Sequence, residues 1–176
     1  SYSKGSGGHT SRVRDFTHSK DVSWKYPIGE AKAHSEFIEQ SVFSYLENNY
    51  RVSKSRTFVG NSLGGLFGAY ILFTKPTMFN NYVLGSPSVW FKDNDILKIK
   101  TTLNLNKHKV FIGVGANETK DSPNHDMVKG ANELKLKISQ ALFPHTEVKL
   151  LIVQEANHET AFPTTAIQGL YWLFKR

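Results

Sequence analysis

Thr57-Phe58-Val59-Gly60-Asn61-Ser62-Leu63-Gly64-Gly65-Leu66-Phe67-Gly68-Ala69-Tyr70 is the stretch on which the fold turns. It starts apolar and β-prone, passes through G-x-S-x-G, and runs on as a helix of small residues. A strand that turns abruptly into a helix brings two backbones together. Gly60 and Gly64 remove the Cβ atoms that would clash there. The pattern predicts a strand over Thr57 to Val59, a sharp turn presenting the Ser62 hydroxyl, and a helix that ends before Pro76. An ordinary Gly/Ser turn gives the same five letters, and only the strand before and the helix after distinguish the two. The Leu63 N–H, at the positive end of the new helix, is placed to face a developing oxyanion.

The chain has 176 residues, 39% hydrophobic and 21% charged, which suits one globular domain with a substantial core. Its apolar runs are far shorter than a bilayer span, so no membrane partner is expected. There is no cysteine, hence no disulfide and no thiolate metal site. No H-E-x-x-H pair and no phosphate loop occurs, so neither a metal nor a cofactor is expected. The charge of +7 comes from 22 basic and 15 acidic residues. The basic residues run from Lys4 to Arg176 without a compact block, and no nucleic-acid motif accompanies them. A solvated surface with a mild attraction for anionic ligands explains the surplus. A cytoplasmic location is expected, with the periplasm as the alternative.

Taken in order, residues 1 to about 30 read as irregular surface chain. Within them Arg14 and Asp15 form a basic–acidic pair, with Trp24 and Tyr26 soon after. That group fits a loop pinned by an ion pair, or the lining of a cleft. From about Ala33 to Asn49, Phe37, Ile38, Val42, Tyr45 and Leu46 recur at helical spacing, an amphipathic helix packed on something larger. Short strands follow at Asn81 to Leu84, Lys109 to Gly113 and Val148 to Val153. A helix runs from about His125 to Leu142, and Pro163 opens a last helix whose Ala166, Ile167, Leu170, Tyr171, Leu173 and Phe174 are expected to bury. Strands alternating with helices predict an α/β fold, a parallel sheet between two helical layers. Ligands then bind at the carboxyl ends of the strands.

Each of those ends carries a reactive residue. The first carries Ser62, the second Ser86 and Ser88, the third Glu118 and the fourth His158. A serine hydroxyl needs a neutral imidazole to take its proton, and an acid to orient that imidazole and stabilise its charged form. In this fold class the order along the chain is nucleophile, acid, histidine. Ser62, Glu118 and His158 follow it. His125 is the competing base, and Asp121 and Asp126 share the acid-bearing loop with Glu118. Glu155 is near His158 in sequence but off that loop, and a serine–histidine pair without a carboxylate is the remaining alternative.

With these residues assembled, the chain resembles the Putative esterase (esterase D-like) family of the α/β hydrolases, and within it the ferric-enterobactin esterase group. The likeness is carried by Arg12-Val13-Arg14-Asp15-Phe16-Thr17, the Gly60–Leu66 elbow, Pro76 to Phe79 with Gly85-Ser86-Pro87-Ser88-Val89-Trp90, Val114–Glu118 with Met127-Val128, and Asn157-His158-Glu159. The resemblance implies hydrolysis of carboxylic esters of small molecules. It also implies that Arg14 is a structural feature near the site, and that some members work with serine and histidine alone. Arg14, Trp24, Tyr26 and Trp90 are candidate substrate-cleft residues.

One departure stands out. Members of the family have several strands before the R-x-R-D segment, and this sequence resembles the C-terminal two thirds of such an enzyme. The expected fold is therefore a three-layer α/β/α sandwich of the α/β-hydrolase type without its N-terminal strands. Thr57 to Val59 would form an exposed edge prone to self-association, and one oxyanion donor would be missing. The reading is a serine esterase acting through an acyl-enzyme on Ser62, with a siderophore-type ester as the candidate substrate. Its rivals are an acyltransferase of the same fold and a non-catalytic truncated fragment.

Overall fold

The computed structural model describes residues 8–20, 24–101, 107–119, 121, 125–140 and 146–175. The chain divides into two compact units, Ser1–Ser55 and Arg56–Arg176.

The first unit contains helix α1 (Gly8–Phe16) and a longer helical run made of α2 (Ala31–Phe37), a π-helical stretch (Ile38–Phe43) and α3 (Ser44–Asn49). The irregular chain expected before residue 30 is thus corrected over α1. Only Ser11 and Val13 of that helix are buried, so it carries almost no apolar period to read. It is tied down by polar contacts instead. Thr17 Oγ1 donates to the Val13 carbonyl at 2.7 Å and accepts from the Gly29 N–H at 2.8 Å. The Ala31 N–H closes on the Thr17 carbonyl at 2.9 Å, so the end of α1 is stitched to the start of α2. The Arg14–Asp15 pair lies in the last turns of α1 rather than in a loop. The helix expected from Ala33 begins two residues earlier, and Phe37, Tyr45 and Leu46 on it are exposed.

The second unit is built on four parallel strands in the order β1 (Thr57–Asn61), β2 (Asn81–Gly85), β3 (Lys109–Gly115) and β4 (Glu147–Val153). Their register aligns Thr57, Asn81, Lys109 and Glu147. The central strands are buried on both faces and read as continuous apolar runs, whereas Val59 on β1 and Ile152 on β4 are exposed. Among the described residues strand β1 pairs with β2 alone, which is the edge position expected of it.

Helix α4 (Leu63–Thr74) packs over β1 and β2, and α5 (Met127–Ser139) over β3 and β4. Right-handed crossovers place both on one face. Lys137 of α5 joins that layer: its ammonium lies 4.8 Å from the centre of the Phe73 ring of α4 and donates to the Leu97 and Ile99 carbonyls at 2.8 Å each. Helix α6 (Ala161–Phe174) covers β2 and β3 from the other face, completing the three layers expected. Leu142, the expected end of this helix, lies outside the described residues.

Two expectations are corrected here. Between β2 and β3 the described residues form a 3₁₀ turn (Asp95–Lys98) where alternation called for a helix. Helix α6 also docks with a different face. Ala161, Thr165, Gly169, Trp172 and Leu173 are buried, while Ile167, Leu170, Tyr171 and Phe174 are exposed. The docking face is chosen by fit. A Cβ at Gly169 would lie 2.8 Å from Val83 Cγ1, and a Cβ at Gly113 would collide with Thr165, so helix and sheet approach more closely than any larger pair allows. Among the described residues no helix is long and apolar enough to cross a membrane.

Candidate active site at the carboxyl ends of the strands

Ser62 stands between β1 and α4 at φ 60°, ψ −120°, a backbone conformation that side-chain-bearing residues rarely adopt. The turn is tight enough that a Cβ at Gly60 would lie 2.6 Å from the Gly64 carbonyl oxygen, which is why position 60 holds glycine. Backbone bonds hold the serine in place. Its N–H donates to the Gly85 carbonyl at 2.9 Å, and its own carbonyl accepts from the N–H groups of Leu66 and Ser88 at 3.0 and 3.2 Å. Leu63 is the first residue of α4, so its N–H belongs to the turn of donors that have no partner within the helix.

The segment after β2 connects this elbow to the next loop. Ser88 is 1% exposed, and its Oγ lies 3.3 Å from Ser62 Oγ. Two residues earlier Ser86, wholly buried, donates its hydroxyl proton to Glu118 Oε1 at 2.7 Å. The Gly115 N–H donates to the same oxygen at 2.8 Å, and the other carboxylate oxygen, Oε2, meets His158 Nδ1 at 2.7 Å. Glu118 is 1% exposed. Burial alone pushes its pKa up, but the bonds from His158, Ser86 and the Gly115 backbone outweigh burial and hold it below the usual carboxylate value.

The acid and histidine loops are also stitched together. The Ala116 N–H donates to the Val153 carbonyl at 2.8 Å and the Asn117 N–H to the Ala156 carbonyl at 3.0 Å. His158 sits in a turn closed by Asn157, whose Oδ1 accepts from the N–H groups of Glu159 and Thr160 at 3.1 and 3.0 Å. These bonds shape the backbone around His158, and the Glu118 contact at Nδ1 orients its ring.

The other sequence candidates fall elsewhere. The His125 ring is stacked on Trp90, with ring centres 4.1 Å apart. Asp126 caps α5, its Oδ1 accepting from the Lys129 N–H at 2.8 Å. Asp121 and Glu155 are exposed. Arg14, Trp24 and Tyr26 belong to the first unit. There Arg14 makes a two-pronged pair with Asp15 at 2.7 and 3.1 Å, and Tyr26 meets the edge of the His9 ring. The roles of Ser86 and Ser88 as hydrogen-bond partners of the acid and of Ser62 were not foreseen from the sequence. The signal was the Ser-Pro-Ser spacing immediately after a strand.

Comparison with known proteins identifies the family. The Putative esterase family model matches residues 11–160. The ferri-bacillibactin esterase BesA of Bacillus subtilis is 42% identical over 71 residues, which is 40% of this chain and 25% of that protein. The siderophore enterobactin esterase of Emericella nidulans is 45% identical over 62 residues, 35% of this chain and 18% of that one. The crystal structure of the BES protein from Bacillus cereus superposes with a TM-score of 0.80 at 28% identity, covering 97% of this chain and 67% of the other. The chain thus spans about two thirds of that solved structure, and the matched stretches span a quarter or less of the two curated relatives. With the family model matching most of its length, the chain belongs to the Putative esterase family.

Proposed function

We propose that this chain carries the reacting groups of a serine esterase that cleaves carboxylic esters of small molecules. The observation that carries the reading is the strained Ser62 with Ser88 against it at one strand end, and the buried Glu118 bonded to both Ser86 and His158 at the neighbouring ones. In the proposed reaction His158 takes the proton from Ser62 Oγ as that oxygen bonds to the ester carbonyl carbon. The carbonyl oxygen becomes an oxyanion facing the Leu63 N–H. When the tetrahedral adduct collapses, the carbon–alkoxy bond breaks and His158 returns the proton to the departing alcohol. A water molecule then repeats the cycle on the acyl-enzyme, leaving a carboxylic acid and free Ser62. Glu118 stays ionised throughout, keeps the His158 Nδ1 proton on its own side, and stabilises the imidazolium.

The relatives are named for siderophore esters, and the substrate class proposed here is the same: a small ester bearing anionic or catechol groups, attracted by the net charge of +7. Trp90, on the loop that holds Ser88, is the proposed aromatic wall of the substrate cleft. A fluorophosphonate should label Ser62 in the wild-type chain and nothing in Ser62→Ala. That variant should lose about 10⁴-fold or more in kcat on a p-nitrophenyl ester. Labelling at Ser88 in place of Ser62 would reject the assignment. Product analysis with a competing alcohol separates hydrolysis from acyl transfer.

A further inference from the structure

Ser86 is a buried side chain in an unfavourable backbone conformation. Its φ is 35°, and the next residue is Pro87, which pushes the residue before it towards extended geometry. Glycine would occupy such a position without strain. Serine supplies one thing glycine lacks, a hydroxyl, and that hydroxyl donates to Glu118 Oε1 at 2.7 Å. The backbone aims it firmly: the Ser86 N–H donates to the Gly113 carbonyl at 2.7 Å, locking the loop to the end of β3.

We propose that Ser86 is a positioning residue that fixes the Glu118 carboxylate against His158. The inference rests on the esterase reading given above. A carboxylate on a flexible side chain has two oxygens and a free terminal torsion. Here Ser86 and the Gly115 N–H both hold Oε1, which leaves Oε2 for His158 Nδ1. Taking away one of the two anchors on Oε1 lets the carboxylate turn, and the imidazole loses its fixed partner. The Ser86 hydroxyl also helps to keep Glu118 ionised at a site that is 1% exposed. The Gly-Ser-Pro-Ser turn (Gly85 to Ser88) thus serves both ends of the site, with Ser88 against Ser62 and Ser86 against Glu118.

Ser86→Gly and Ser86→Ala test this together. Both variants lose the hydroxyl, but Gly also relieves the backbone strain, so Ser86→Gly should melt above Ser86→Ala. Its rate of fluorophosphonate labelling at Ser62 should nevertheless fall about tenfold, the loss expected for one hydrogen bond to a charged group. Ser86→Ala should fall equally. In a Glu118→Ala background neither substitution should cost anything further, because the group it positions is gone. The carboxyl carbon of Glu118, followed by NMR, should titrate at higher pH in both variants. A Ser86→Gly variant that labels at the wild-type rate, or a further loss of the same size in the Glu118→Ala background, would overturn the proposal. Failure of the wild-type chain to label would reject the esterase reading instead. The titration of Glu118 would still decide the role of Ser86, and an unmoved titration would overturn it.

Discussion

Replacing Glu118 by Gln tests the candidate site most sharply, because the hydrogen bonds dictate which way the new amide must face. Glu118 Oε1 accepts from two donors, the Ser86 hydroxyl and the Gly115 N–H, and both approach within 2.8 Å. In Glu118→Gln the amide oxygen has to take that position, since an amide nitrogen there would set donor against donor. The amide NH₂ is then turned towards His158 Nδ1, 2.7 Å away in the wild type. It can bond only to an unprotonated Nδ1, so the neutral ring must carry its proton on Nε2, the nitrogen that should accept from Ser62. The base is lost through the wrong tautomer while volume and packing stay nearly constant. For a serine–histidine–carboxylate site this loss is about 10⁴-fold in kcat, or about 5.4 kcal/mol in barrier. The assay is hydrolysis of a p-nitrophenyl ester alongside fluorophosphonate labelling, with thermal melting to show that the variant is folded. Asp121→Asn and Asp126→Asn serve as controls, and both should stay close to wild type. A folded Glu118→Gln variant within threefold of the wild-type rate would refute the reasoning and leave Ser62 and His158 to act as a pair.

The same carboxylate gives a pH dependence of stability. Its pKa is lowered in the folded chain, burial being outweighed by the bonds from His158, Ser86 and Gly115; its contribution is therefore present above the ordinary glutamate value of about 4.3 and is lost as pH falls below that value through the folded one. Urea melts of the wild type should show this loss and melts of Glu118→Gln should not; parallel slopes would count against it. Gly113→Ala drives a Cβ into Thr165 of α6 and should destabilise the chain by about 1–3 kcal/mol in urea melts, with Thr165→Ala restoring part of the loss; an unchanged midpoint would mean that α6 is not held as closely as described. Among the described residues strand β1 has a neighbouring strand on one side only, and Val59 on it is exposed. Self-association should therefore appear in sedimentation velocity and weaken in Val59→Lys, since a charge on an edge strand opposes pairing; a monomer at all concentrations would remove that edge as an association surface.

The sequence alone determined the class of fold and the order of the candidate residues along it. The elbow was legible because G-x-S-x-G stood between an apolar, β-prone run and a helix of small residues, and the tight turn between them leaves no room for a Cβ at Gly60. The four strands were legible because a parallel sheet covered on both faces needs short, continuous apolar runs, and Val110 to Val114 is one. Ser62, Glu118 and His158 could be placed at strand ends from those runs alone. Helix α1 could not be read, since it is held by Thr17 and backbone bonds rather than by an apolar stripe. The docking face of α6 could not be read either. Its largest apolar residues, Ile167, Leu170, Tyr171 and Phe174, suggest one face, while Gly113 and Gly169 allow another to approach more closely, and packing density between facing surfaces is a property of pairs that no single helix displays. Tertiary structure alone decided which acid meets His158 and what Ser86 and Ser88 touch. Those contacts join residues 26 to 40 positions apart, and their geometry depends on how four strands are set side by side.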